Sequence, residues 1–124
     1  MKISKNNIAF IFDMDGVLVD NFHFHNLAWK EFCKDKQVTI PIGELKNILF
    51  GRTNNEIMPM LFGQDISVKD IQRLSDEKEA AYRKVYNGHV EPVKGLVSLL
   101  VNFHNNDIPL AVASSGPAEN IMFV

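Results

Sequence analysis

Phe10-Ile11-Phe12-Asp13-Met14-Asp15-Gly16-Val17-Leu18-Val19-Asp20 is the stretch on which the fold turns. Together with Ile8 and Ala9 it begins as an unbroken apolar run, not an alternating one, and it stops at an acidic, glycine-bearing turn. That pattern predicts a strand buried on both faces of a parallel sheet. Ligands of open α/β sheets bind beyond the carboxyl ends of their strands, which is where Asp13 and Asp15 fall. Two neighbouring carboxylates repel, so one can keep a proton for acid/base work while the other stays ionised, or a divalent cation can sit between them. The plainer alternative is a solvated turn, because turns favour Asp and Gly without any chemistry.

Downstream of the turn, Phe22, Leu27, Ala28, Trp29 and Phe32 recur at helical spacing, predicting a helix from Phe22 to about Lys34 with Asp20 or Asn21 as its cap. Pro41 suits the first turn of a second helix carrying Ile42, Leu45, Ile48 and Leu49 and closed at Gly51. A third helix is expected from Asn54 to Phe62, stopped by Gly63, despite Pro59 inside it. Ser67 with Asp70 resembles a capping box, opening a long helix with Val68, Ile71, Leu74, Ala81, Tyr82 and Val85 on one side and Gly88 at its end. Leu96, Leu99, Leu100 and Phe103 mark another amphipathic helix, and Pro109-Leu110-Ala111-Val112-Ala113 a second short buried strand. Ser114-Ser115-Gly116-Pro117 then turns the chain into the start of a further helix. The expected fold is α/β: a partial Rossmann-like layer of parallel strands from residues 1–20 and 90–124, with a helical block inserted at 21–89.

Composition excludes several function classes. Of the 124 residues, 46% are hydrophobic and 23% charged, which is a globular balance. Thirteen basic against fifteen acidic side chains give a net charge of −2, so no electrostatic footprint for nucleic acid or an anionic membrane is present. Cys33 is the single cysteine, with no partner for a disulfide or a structural zinc, and a reducing compartment, the cytoplasm, is expected. The apolar run from Ile8 is too short for a secretion signal or for the ~20 residues of a spanning helix.

The block from Phe10 to Asp20 resembles the first motif of the haloacid dehalogenase superfamily, and Leu110 to Gly116 resembles its second, where a Ser or Thr ends a buried strand. The helical block resembles the cap found in the β-phosphoglucomutase-like subgroup. The resemblance implies a phosphotransferase in which Asp13 is the nucleophile, Asp15 the general acid and base, and Ser114, with Ser115, the phosphate-binding hydroxyls. It further implies Mg2+ held by Asp13 and Asp15, and a small phosphorylated metabolite, such as a sugar phosphate, as substrate. Asp20-Asn21-Phe22-His23-Phe24-His25 followed by Trp29 is similar to the subgroup's first cap helix, making His25 either a cleft residue or a hydrogen-bonded core or hinge histidine. Lys78 interrupts the apolar stripe between Leu74 and Tyr82, so it either snorkels to the rim or points at substrate.

The sequence departs from the mutase pattern at Phe50-Gly51-Arg52-Thr53-Asn54, where Arg52 is displaced: either Arg52 serves as a substrate-binding cap residue from another angle, or the substrate carries one phosphate only, which favours a phosphatase over a mutase. The superfamily's third motif, a Lys, and its fourth, an acidic pair, have no counterpart, since neither Lys94 nor Glu119 follows a suitable strand. The expectation is therefore the N-terminal part of a longer enzyme, inactive alone, with open sheet edges that invite a complementing chain or self-association. The competing expectation is a non-catalytic interaction module built on the same fold.

Overall fold

The computed structural model describes residues 8–40, 43–49 and 51–124. Strand β1 (Phe10–Phe12) is followed by helices α1 (Phe22–Asp35), α2 (Glu44–Leu49), α3 (Asn54–Phe62), α4 (Val68–Tyr86) and α5 (Leu96–Asn105), then strand β2 (Leu110–Val112) and helix α6 (Ala118–Phe123). The chain divides into two compact units, residues 1–22 with 88–124, and residues 23–87. The expected placement of Pro41 and Ile42, and the residue Phe50, lie outside the described residues. None of the described helices is long and apolar enough to cross a membrane.

In the first unit β1 and β2 pair in parallel, Phe10 with Leu110, Ile11 with Ala111 and Phe12 with Val112. Phe103 of α5 stacks on Phe10 with ring centroids 4.3 Å apart, which fixes that helix against the sheet. Burial on both faces, expected from the apolar run, is not what the structure shows: Phe10 is 38% and Ile11 71% exposed, and Val112 is exposed as well. The reason is geometric. The sheet has two strands among the described residues, so each has one neighbour and one open edge. Val97 and Val101 leave α5 with an exposed apolar side too.

The acidic turn is held at both ends by burial. Met14 and Val19 are core residues, Leu18 N–H donates to the Met14 carbonyl at 2.9 Å, and Gly16 N–H donates to that of Val19 at 2.8 Å. Val93 N–H donates to the Leu18 carbonyl at 2.9 Å, tying the returning chain to the turn. Gly16 has φ 75°, with open space where a Cβ would stand, so the requirement for glycine is conformational and not steric. Gly16→Ala is expected to lower stability by about 1–2 kcal/mol, read as a shift of the urea midpoint at unchanged slope.

The second unit is a helical block around Trp29, Phe32, Cys33, Ile57, Met58 and Leu74. Burial pushes the Cys33 thiol above its ordinary pKa, so it behaves as a small apolar group. Thr53 opens α3 with a capping box, its N–H donating to Glu56 Oε2 at 2.8 Å. Ser67 caps α4, where Oγ accepts from Asp70 N–H at 3.1 Å and donates to Asp70 Oδ2 at 2.7 Å. That hydroxyl, and then Arg73, hold the Asp70 carboxyl below its ordinary range. A depressed folded pKa stabilises above the ordinary carboxylate range and is lost as pH falls through the lowered value. Ser67→Ala is expected to lower the urea midpoint at neutral pH through loss of the cap, with the gap to wild type narrowing as pH falls through the lowered Asp70 range.

The buried side of α4 differs from the expected apolar stripe. Val68 is 83% exposed, while Leu74, Ser75, Lys78, Glu79, Tyr82 and Tyr86 are buried. Periodicity locates the inward face correctly from Leu74 onward, but half of that face is polar.

Candidate functional site

The parallel register brings the carboxyl ends of β1 and β2 to the same edge, and the ladder runs on as Ala113 N–H donates to the Phe12 carbonyl at 2.8 Å. Asp13 leaves β1 directly and Ser114 lies just beyond β2, so both stand at that edge. Asp13 is exposed, and its Oδ1 accepts from Met14 N–H at 2.7 Å. Asp15 is half-buried, and its Oδ1 accepts from the side-chain amide of Asn21 at 2.5 Å.

Ser114 and Asp15 meet around Gly116. Ser114 Oγ accepts from Gly116 N–H at 3.0 Å, and a Cβ at Gly116 would stand 3.2 Å from that Oγ and 4.0 Å from Asp15 Oδ2. The missing side chain keeps open the space shared by a hydroxyl, a carboxylate oxygen and backbone amides. Ser115 lies in the exposed bend beside it.

Two carboxylates on one short turn suit a hard cation that seeks oxygen. Magnesium is commonly held by one or two carboxylates and keeps several waters, so Asp13 and Asp15 fit it without a dedicated cage. Among the described residues no cluster of three or more His, Cys, Asp and Glu side chains forms a closed metal site.

In the helical unit His25 and Lys78 come together. Lys78 is 2% exposed, which removes the snorkelling alternative, and its Nζ donates to Glu79 Oε1 at 2.8 Å. The same Nζ lies 3.2 Å from His25 Nδ1, and 5.1 Å and 5.7 Å from the ring centroids of Trp29 and Tyr82. His25 stacks on Tyr82 at 3.9 Å with nearly parallel rings. Asn54 completes the cluster by donating to Glu79 Oε1 at 2.8 Å.

Arg52 is engaged elsewhere. Its guanidinium donates to the carbonyls of Asn47 and Ile48 at 2.6 Å and 3.0 Å, satisfying the open end of α2.

The sequence offers Asn21 as a helix cap, yet its amide donates to Asp15. It marks Asn54 only as a helix start and a departure from the mutase pattern, and it does not single out Glu79. A signal for Glu79 existed, because a charge buried at Lys78 requires a counter-charge and Glu79 is its chain neighbour.

A family model described as haloacid dehalogenase-like hydrolase matches residues 10–123. The chain is 29% identical over 115 residues to β-phosphoglucomutase of Bacillus subtilis (strain 168), covering 86% of this chain and 50% of that protein. It is also similar to the crystal structure of a HAD hydrolase, family IA, variant 3, from Entamoeba histolytica, with TM-score 0.83 and 27% identity over 93% of this chain and 52% of that one. A mutant of CbbY from Rhodobacter sphaeroides, solved with xylulose-(1,5)bisphosphate, shares the fold at TM-score 0.76 and 20% identity, over 93% of this chain and 54% of that one. The chain spans about half the length of the curated relatives it matches. With the match running from the first residue of β1 to the last residue of α6, the chain belongs to the haloacid dehalogenase-like hydrolase family.

Proposed function

We propose that the protein carrying this chain is a phosphatase acting on a small phosphorylated metabolite, a sugar phosphate in the first instance, through an aspartyl-phosphate on Asp13. The observation that carries this reading is the acidic turn, placed by two parallel strands in register at the same edge as Ser114. An Asp13 carboxylate oxygen attacks phosphorus, the bond from phosphorus to the leaving oxygen breaks, and Asp15 delivers its proton to that oxygen. Asp15 then takes a proton from water, which attacks the aspartyl-phosphate and returns Asp13 as a free carboxylate.

The Asn21 amide supports a division of labour within Asp15. Because Oδ1 accepts that hydrogen bond, the mobile proton belongs on Oδ2, the oxygen nearer Gly116. Ser114 Oγ donates to a phosphoryl oxygen, and Ser115 stands beside it. When bound by the Asp13 carboxylate and the Asp15 segment, Mg2+ supplies charge neutralisation on the phosphoryl group. The helical block at 21–89 is the proposed cap, with His25 and Lys78 as its polar cluster. The low net charge and single cysteine support a reducing, cytoplasmic setting with neither nucleic acid nor membrane as partner.

Phosphatase is preferred to mutase because Arg52 is spent on the end of α2, which leaves the substrate side without that cation for a second phosphate. The test is 31P NMR on the protein expressed from its own gene, supplied with β-glucose 1-phosphate, a trace of the bisphosphate and Mg2+. Inorganic phosphate is the expected product, and glucose 6-phosphate would overturn the preference. No turnover of this or other sugar phosphates, with or without Mg2+, would overturn the reading as an enzyme.

The exposed apolar residues Ile11, Val112 and Met122 support the competing reading, an interaction module whose sheet edges pair with another chain. That reading expects a sedimentation mass that rises with concentration or on adding a complementing chain. A constant monomer mass would sink it.

A further inference from the structure

Asn87 and Gly88 form the chain's one Asn-Gly pair, and it lies where residues 23–87 give way to the unit resumed at Gly88. An asparagine amide beside glycine is open to attack by the following backbone nitrogen, because glycine has no side chain to crowd the five-membered ring that forms. Whether a fold permits the attack depends on burial and on the hydrogen bonds that hold the two residues. Asn87 and Gly88 are both exposed. Asn87 spends its own N–H on the Arg83 carbonyl at 3.0 Å as the cap of α4. Among the described residues, neither its side-chain amide nor the Gly88 N–H has a hydrogen-bond partner. Attack requires the Asn87 ψ angle to turn from 130°, and Gly88, at φ 79°, follows that turn with no Cβ in the way. The Asp15-Gly16 pair is the contrast within the same chain. There Gly16 N–H donates to the Val19 carbonyl at 2.8 Å and Asp15 Oδ1 accepts from the Asn21 amide, so both reacting groups are engaged.

We propose that Asn87-Gly88 is a site of spontaneous deamidation in the folded protein. The Gly88 nitrogen forms a bond to Asn87 Cγ and gives up its proton, the Cγ–Nδ2 bond breaks, and ammonia departs with that proton, leaving a succinimide. Water then opens the ring. Opening at Cγ gives aspartate, and opening at the main-chain carbonyl gives isoaspartate, which adds a methylene to the backbone where it leaves α4. Either product places a carboxylate beside the unpaired carbonyls of the last turn, the helix end that disfavours negative charge. The site involves neither Asp13, Asp15 nor Ser114, so it stands or falls independently of phosphoryl transfer.

The test incubates the folded protein, expressed from its own gene, at mildly alkaline pH and follows the tryptic peptide from Val85 to Lys94, in which Asn87 is the one asparagine. Two signals are expected to grow in that peptide: the mass gain of an amide becoming an acid, and methylation by an isoaspartyl-specific methyltransferase. Their rate is expected to lie within roughly tenfold of that in the same protein unfolded in guanidinium chloride, as for a segment that opens at little cost. Asn87→Gln, which closes its ring far less readily and keeps the surface polar, is expected to abolish both signals. A folded protein that keeps Asn87 intact while the unfolded one converts it would overturn the proposal, because the fold would then protect the pair. Aspartate formed with no isoaspartate would overturn the succinimide route.

Discussion

Asp13→Asn is expected to lower phosphate release by roughly four orders of magnitude or more, because an amide cannot form the acyl-phosphate and nothing adjacent substitutes for it. Asp13 is exposed and, among the described residues, its carboxylate accepts from the next residue's N–H, so the unfolding midpoint should stay close to wild type. Stopped-flow or steady-state phosphate release gives the first quantity and a urea titration the second. Activity retained within tenfold would remove Asp13 as the nucleophile. Asp15→Asn separates the roles: about 10²–10⁴-fold is expected, with activated leaving groups that need no proton suffering least. Equal losses for poor and activated leaving groups would argue that Asp15 serves the metal or the fold and moves no proton.

Glu79→Ala should be among the most destabilising single substitutions in the helical unit, costing about 3–5 kcal/mol, because it strands the Lys78 ammonium in the interior. The pair is well inside, with side-chain exposures of 3% and 9%. Replacing both partners with apolar residues of similar volume, Lys78→Met with Glu79→Leu, is expected to cost far less than Glu79→Ala, since no charge remains to be desolvated. Urea unfolding of the single and double variants measures the coupling. Additive losses would mean that water reaches the ammonium and that the buried pair is not a unit.

The five helices Asn54–Phe62, Val68–Tyr86, Leu96–Asn105, Phe22–Asp35 and the short one after Pro117 were legible because their signals are local. Capping at Ser67, the stop at Gly63 and an apolar spacing near 3.6 residues all operate within a few residues of chain. The turn at Asp13–Gly16 was equally plain, since glycine with positive φ and acidic side chains announce a turn before any tertiary contact forms. The exposure of β1 and β2 was not legible in the same way. Five apolar residues in succession state an affinity for two covered faces, whereas the covering itself depends on which strands stand alongside.

Lys78 shows the same division at a single residue. Its place on the inward side of α4 follows from the spacing of Leu74 and Tyr82, yet its partners are His25 on α1 and Glu79 beside it, with Asn54 on α3 donating in turn to Glu79. Arg52 shows it in reverse, as a displaced cation that the sequence leaves open as a substrate contact and whose guanidinium closes a helix instead. The sequence was sufficient for the α/β class, the order of elements and the acidic turn with its serine, because each depends on periodicity, capping and backbone sterics over short range. Only the tertiary structure decided that Asn21 supports Asp15, that Lys78 is buried against His25 and Glu79, and that Arg52 is spent on α2. Of these contacts only that of Lys78 with His25 joins residues far apart in the chain; the others lie within a few residues, and desolvation, which selects among polar partners, acts only once they are packed together.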